Sequence, residues 1–107
     1  MTKEQDERRV KLDLNNPEFQ DRLFSLDKTE RNRVIETPGK IYRMTWTQVY
    51  QHSGLKWEEI KKPPVKLQPG EKAYSIRVSQ ARRAVVTRQG DFMRFLTLPL
   101  DHDSTYE

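Results

Sequence analysis

YSIRVSQARRAVVTRQGDFMRFLTL, residues 74–98 of a chain of 107 residues, reads as three consecutive strands. Tyr74, Ile76 and Val78 alternate with Ser75, Arg77 and Ser79, the two-residue period of a strand with one buried and one polar face. The run RAVVT (83–87) resumes that pattern after Gln80 and Ala81. Gln89 and Gly90 then mark a tight turn, because glycine supplies the positive φ that a short hairpin demands. The third stretch, FMRFLTL (92–98), is the most apolar and is expected to lie centrally in an antiparallel sheet.

Upstream, KKPPVKLQPG (61–70) holds three prolines and a glycine, which deny it regular hydrogen bonding and mark a connector or edge segment. The first half is mostly helical by its signals. Residues 1–9 are charged and without apolar period, and are expected to be mobile; Val10, Leu12 and Leu14 then alternate with Lys11 and Asp13 as a short strand. Asn16 before Pro17 starts a helix whose Phe19, Leu23 and Leu26 share one face. Asp27 with Glu30 resembles a capping box for a second helix, with Val34 and Ile35 expected inward and a kink or restart at Pro38 and Gly39 before Ile41 and Tyr42. Thr45 and Gln48 form another capping box, Trp46, Val49 and Tyr50 a short apolar face, and Gly54 a stop. The fold class is therefore α+β over a single domain, residues 1–107: an N-terminal strand and a helical pair packed on one face of a small antiparallel sheet.

Composition narrows the chemistry. Hydrophobic and charged residues each make up 34%, so the core is small, while two Trp, four Tyr and four Phe argue against disorder throughout. The absence of cysteine excludes disulfides, a thiolate nucleophile and a cysteine zinc site. Two histidines, His52 and His102, are too few for a histidine-built metal centre, and no cofactor is implied. No run approaches the roughly 20 apolar residues of a membrane span, and residues 1–9 lack the apolar stretch of a secretory signal, so a cytoplasmic protein with no membrane partner is expected. The net charge of +4 is uneven: residues 51–98 carry 10 Lys and Arg against 4 Asp and Glu, whereas residues 99–107 carry 3 acids and no base. A basic excess of that kind favours a polyanion such as RNA, the plain alternative being a soluble basic surface.

Position singles out particular residues. Arg77 lies on the polar face of its strand, Arg82 and Arg83 open the next, and antiparallel pairing can bring guanidiniums together on an open face where their planar forks match phosphate oxygens. Lys56, Lys72 and Arg82 are further candidates for RNA contact. Beyond the third strand lie Asp101, His102, Asp103 and Tyr106, in which His102 is suited to proton transfer near neutral pH. Glu58 and Glu59, flanking Trp57, are candidate general bases. Each has an ordinary alternative: charge is the default on a half-solvated sheet face, and the last residues form a solvated tail.

The stretch YSIRVSQARRAVVTRQGDFMRFLTLPLDHDSTY (74–106) resembles the RelE/ParE superfamily of toxins from type II toxin-antitoxin systems. An aromatic-led strand carrying a basic residue, a strand of the form RAVV, a hairpin, an apolar strand and a late His followed by Tyr are features of that family. The run TWTQVYQHSGLKWEEI (45–60) is similar to its cytotoxic translational-repressor members. The resemblance implies a mRNA endoribonuclease (mRNA interferase) acting on the ribosome, in which Arg77 and Arg83 grip the phosphate and His102 and Tyr106 serve proton transfer or orientation. It also implies a cognate antitoxin whose acidic or amphipathic segment covers Arg77, Arg82 and Arg83. Asp101 and Asp103 beside His102, with no helix following Tyr106, depart from the strongly cleaving members. The alternatives are a ParE-like toxin acting on a protein target such as DNA gyrase and a non-catalytic nucleic-acid-binding homologue.

Overall fold

The computed structural model describes residues 7–99. Its first strand, β1 (Lys11–Asp13), is short, and the chain is engaged just before it: Trp46 N–H donates to the Arg8 carbonyl at 3.0 Å, Arg9 bridges Thr45, and Arg8 meets Asp91 at 3.1 Å. Arg8 and Arg9 are thus held by tertiary contacts at the end of the stretch expected to be mobile. Asn16 caps α1 (Pro17–Phe24), its side chain accepting from the amides of Glu18 and Phe19, with Pro17 in the first turn where no N–H is needed. Phe19 and Leu23 are buried and Leu26 packs against the same core.

The second helix, α2 (Lys28–Ile41), begins at Asp27, which accepts from the Glu30 amide. It differs from expectation in two ways. Pro38 and Gly39 do not interrupt it: Val34, Pro38 and Ile41, at positions i, i+4 and i+7, are all buried on one face, and Tyr42 N–H still bonds the Pro38 carbonyl at 3.1 Å. Burying that stripe outweighs the one ladder bond a proline removes. Ile35 points outward, 47% exposed, because it falls one position off the stripe. The third helix, α3 (Trp46–Gln51), has the reciprocal Thr45–Gln48 capping box in full, and buries Trp46 and Val49 while Tyr50 stays exposed.

Three strands follow as expected, β3 (Ala73–Ser79), β4 (Arg82–Gln89) and β5 (Phe92–Thr97), preceded by a short strand, β2 (Glu58–Ile60), that the sequence did not reveal. Gly90 has φ +63° in the β4–β5 turn. The sheet order is β1-β5-β4-β3-β2, with β1 parallel to β5 and every other pairing antiparallel, so the expected antiparallel sheet is a mixed one. Alternation identifies a strand but not the direction of its neighbour. Its middle strand is β4, whose Ala84, Val85 and Val86 are wholly buried, and β5 lies inside the sheet between β1 and β4.

The main core lies between the helices and one sheet face, around Phe19, Ile41, Trp46, Ile76 and Phe95. A smaller cluster of Ile60, Ala73, Val85 and Leu96 lies apart from it, and Val65 and Leu67 of the proline-rich connector pack on that cluster. The second face of the sheet is therefore partly covered, not wholly open. No helix among the described residues is long and apolar enough to cross a membrane.

Candidate nucleic-acid interface

Cross-strand register places Arg77 of β3 directly opposite Arg83 of β4. Like charges directly opposed weaken a sheet by a few tenths of a kcal/mol, up to about 1, a cost that an anion spanning both would relieve. Two residues earlier on β3 is Ser75, fully buried, and Arg83 Nη1 donates to its hydroxyl at 3.3 Å. That contact satisfies a buried polar group and helps orient the guanidinium. Ser75 in turn pairs with Glu58 of β2, so Glu58 shares the arginine face, displaced from Arg77 by two strand residues, about 7 Å.

Glu59 takes the other side. It pairs with Tyr74, lies 3.9 Å from Lys61, and its charge helps hold the Tyr74 phenol above its ordinary value, burial being the larger cause and Tyr50 a lesser one. Arg82 also leaves the arginine face. Its Nε donates to Glu30 Oε2 at 3.0 Å, Ser79 Oγ donates to the same oxygen at 2.9 Å, and its Nη1 donates to the Pro99 carbonyl at 3.1 Å. With both ion-pair side chains only 16% exposed, Arg82 clamps β4 to α2 and is not placed with Arg77 and Arg83.

Lys56 is exposed at φ +52° in the turn before β2, next to Leu55, whose carbonyl accepts the Arg77 N–H at 2.8 Å. Lys72 lies at the far end of β3, five residues or about 17 Å from Arg77, beside a second cleft of about 420 Å³ lined also by Arg8, Glu71, Tyr74 and Arg88. The expected His102 and Tyr106 lie outside the described residues.

Next to the arginine face is a cleft of about 360 Å³ between α2, the 52–55 turn and the end of β3. Arg77 belongs to its lining, together with Arg33, Glu36, Lys40 and His52. The sequence carried a signal for part of this wall: Arg33, Thr37 and Lys40 recur at i, i+4 and i+7 on α2. Nearby aromatic rings form a ladder, with Trp57 stacked on Tyr74 at 4.4 Å, Tyr50 5.4 Å from Trp57, and the Arg88 guanidinium 4.1 Å from the Trp46 ring. Arg88 also donates to the Tyr50 hydroxyl at 2.7 Å, which fixes this ladder to the end of β4. Among the described residues no group of His, Asp and Glu side chains converges in a way that would hold a metal ion. Comparison with protein-family models, with curated proteins and with solved structures finds no match, so the reading of this face rests on its own geometry.

Proposed function

We propose that the chain is a RelE-like toxin that enters the ribosome and cuts mRNA, neutralised in the cell by a cognate antitoxin. The single observation that carries the reading is the Arg77–Arg83 pair, opposed across β3 and β4 on the face away from the helical core and tied to buried Ser75. Attack of a ribose 2′ oxygen on the adjacent phosphate builds an extra negative charge on the phosphoryl oxygens, and two preplaced guanidiniums favour that state over the ground state. A base must take the 2′ proton as the new P–O bond forms, and an acid must protonate the departing 5′ oxygen. Glu58, on the arginine face, is the described residue suited to the first task; the resemblance assigns the second to His102 or Tyr106. The element order of a first strand, helices and a basic strand meander supports the same reading.

The test is expression of the chain in a translation reaction with mapping of mRNA 5′ ends, alongside a gyrase supercoiling assay. New 5′ ends that disappear in Arg77→Ala and Arg83→Ala are expected. Gyrase inhibition without mRNA cleavage would overturn the nuclease reading in favour of a ParE-like one.

A further inference from the structure

We propose that the cleft between α2 and the end of β3 is a second phosphate subsite, which takes the RNA phosphodiester next to the one held by Arg77 and Arg83. This rests on the RNA reading above and extends it to a path for the strand. β2 pairs only as far as Ser75, so beyond that point the edge of β3 is flanked by the 52–55 turn and α2 instead of another strand. Arg77 belongs both to the cross-strand pair and to the cleft lining, which makes the two places continuous.

The cleft is built for an anion. Arg33, Lys40 and Arg77 bring three positive charges against the one carboxylate of Glu36, and among the described residues none of the three cations is in an ion pair. The contrast with Arg82, Arg8 and Arg94, each held by a carboxylate, shows that pairing is the usual fate of arginines that brace this fold. Arg33 and Lys40 lie seven residues apart on one helix face, about 10.5 Å along the axis, which spreads the charge along the cleft wall.

His52 adds a further donor. Its Nδ1 accepts from the Gly54 amide at 3.1 Å and the Leu55 amide at 3.2 Å, which puts the ring proton on Nε2. The imidazole packs so closely over Gly54 that a Cβ there would sit 3.0 Å from its Cε1. Ring and turn are therefore mutually positioned, with an N–H donor left over at the wall of a positively charged cleft. Guanidinium forks, an ammonium and an N–H donor are the groups that recognise phosphate oxygens.

The probe is a short fluorescent 2′-O-methyl oligouridylate, which offers phosphodiesters but no hydroxyl to attack, titrated by anisotropy over a series of salt concentrations. R33Q/K40Q is expected to weaken binding about tenfold and to lower the salt slope by about 0.7, the loss of one phosphate on a single strand. In amide NMR spectra the oligonucleotide should shift Gly54 and Leu55. Wild-type binding by R33Q/K40Q while R83Q is weakened would overturn the subsite and leave the arginine face standing. The reverse, weak R33Q/K40Q with unaffected R83Q, would keep the cleft as an RNA site and remove the arginine face. Shifts of Gly54 and Leu55 with inorganic phosphate or an acidic peptide but not with the oligonucleotide would overturn the proposal in favour of a free anion or a protein partner.

Discussion

Replacing Arg82 and Arg83 one at a time should give opposite results although the two are adjacent in the chain. In R82Q the Glu30 carboxylate loses its guanidinium at 3.0 Å and keeps only the Ser79 hydroxyl at 2.9 Å, and the Pro99 carbonyl loses its donor. Removing one partner of a fully buried ion pair costs about 3–5 kcal/mol. Here each side chain is 16% exposed and glutamine can still donate one hydrogen bond, so roughly 2 kcal/mol is the expected loss, or about 10 °C in Tm for a domain of this size. RNA binding and its salt slope should not move. R83Q should be the mirror image. Its 3.3 Å bond to buried Ser75 is worth about 1 kcal/mol and relief of the repulsion with Arg77 returns a few tenths of that, so R83Q should lose less stability than R82Q while the salt slope falls by about 0.7. Urea and thermal unfolding read the first quantity, and anisotropy titrations over a salt series the second. A double-mutant cycle of R82Q with Glu30→Gln should show a coupling above about 1 kcal/mol. If R82Q melts within about 2 °C of wild type and lowers the salt slope as much as R83Q, the assignment of the two arginines to different partners is wrong.

Other substitutions probe other levels of the structure. Gly54→Ala puts a methyl group 3.0 Å from the His52 ring and should displace it from the Gly54 and Leu55 amides, costing about 1 kcal/mol in urea unfolding and moving the His52 ring signals in NMR; unchanged ring signals would show that the ring is not held as described. Tyr74 holds its proton above the ordinary tyrosine value in the folded chain, so its contribution to stability is full below about pH 10, the unfolded value, and is lost as pH rises through the folded one. Tyr74→Phe should therefore lose less stability than wild type between neutral and strongly alkaline pH, read by urea midpoints; parallel curves would refute this. Val34→Ala should cost about 1–3 kcal/mol and Ile35→Ala less than about 0.5, because only Val34 faces the core. Equal losses would contradict the helix orientation.

The features readable from the chain were those whose partners lie within a few residues. Asn16–Pro17, Asp27 and the Thr45–Gln48 box announce their helices because the cap accepts amides two or three positions on. Gly90 announces its hairpin through its own φ, and strict alternation from Tyr74 to Ser79 announces a strand. That antiparallel pairing would bring Arg77 near Arg82 and Arg83 was foreseeable too, but a regular two-residue turn at Gln80 and Ala81 would set Arg77 opposite Ala84, and it is the register shift between Arg77 and Ser79 that sets it opposite Arg83.

What long-range packing settled could not be read locally. Nothing around Lys11–Asp13 specifies that it pairs in parallel with Phe92–Arg94, and nothing around Pro38 says that burial of Val34 and Ile41 will carry a helix through it. The charged EEI of β2 has little strand character of its own and is drawn into the sheet by pairing with β3. The same holds for the site. Arg82 and Arg83 are chemically identical and, as neighbours on one strand, point to opposite faces, and it is the approach of Glu30, fifty-two positions away, that makes Arg82 a brace while Arg83 lies beside Arg77. Arg33, Lys40, His52 and Arg77 form one cleft because α2 and the 52–55 turn close against β3, through the Thr37 hydroxyl on the Val78 carbonyl and the Arg77 amide on the Leu55 carbonyl. Those bonds join segments far apart in the chain, and their free energy exists only once the whole core has formed.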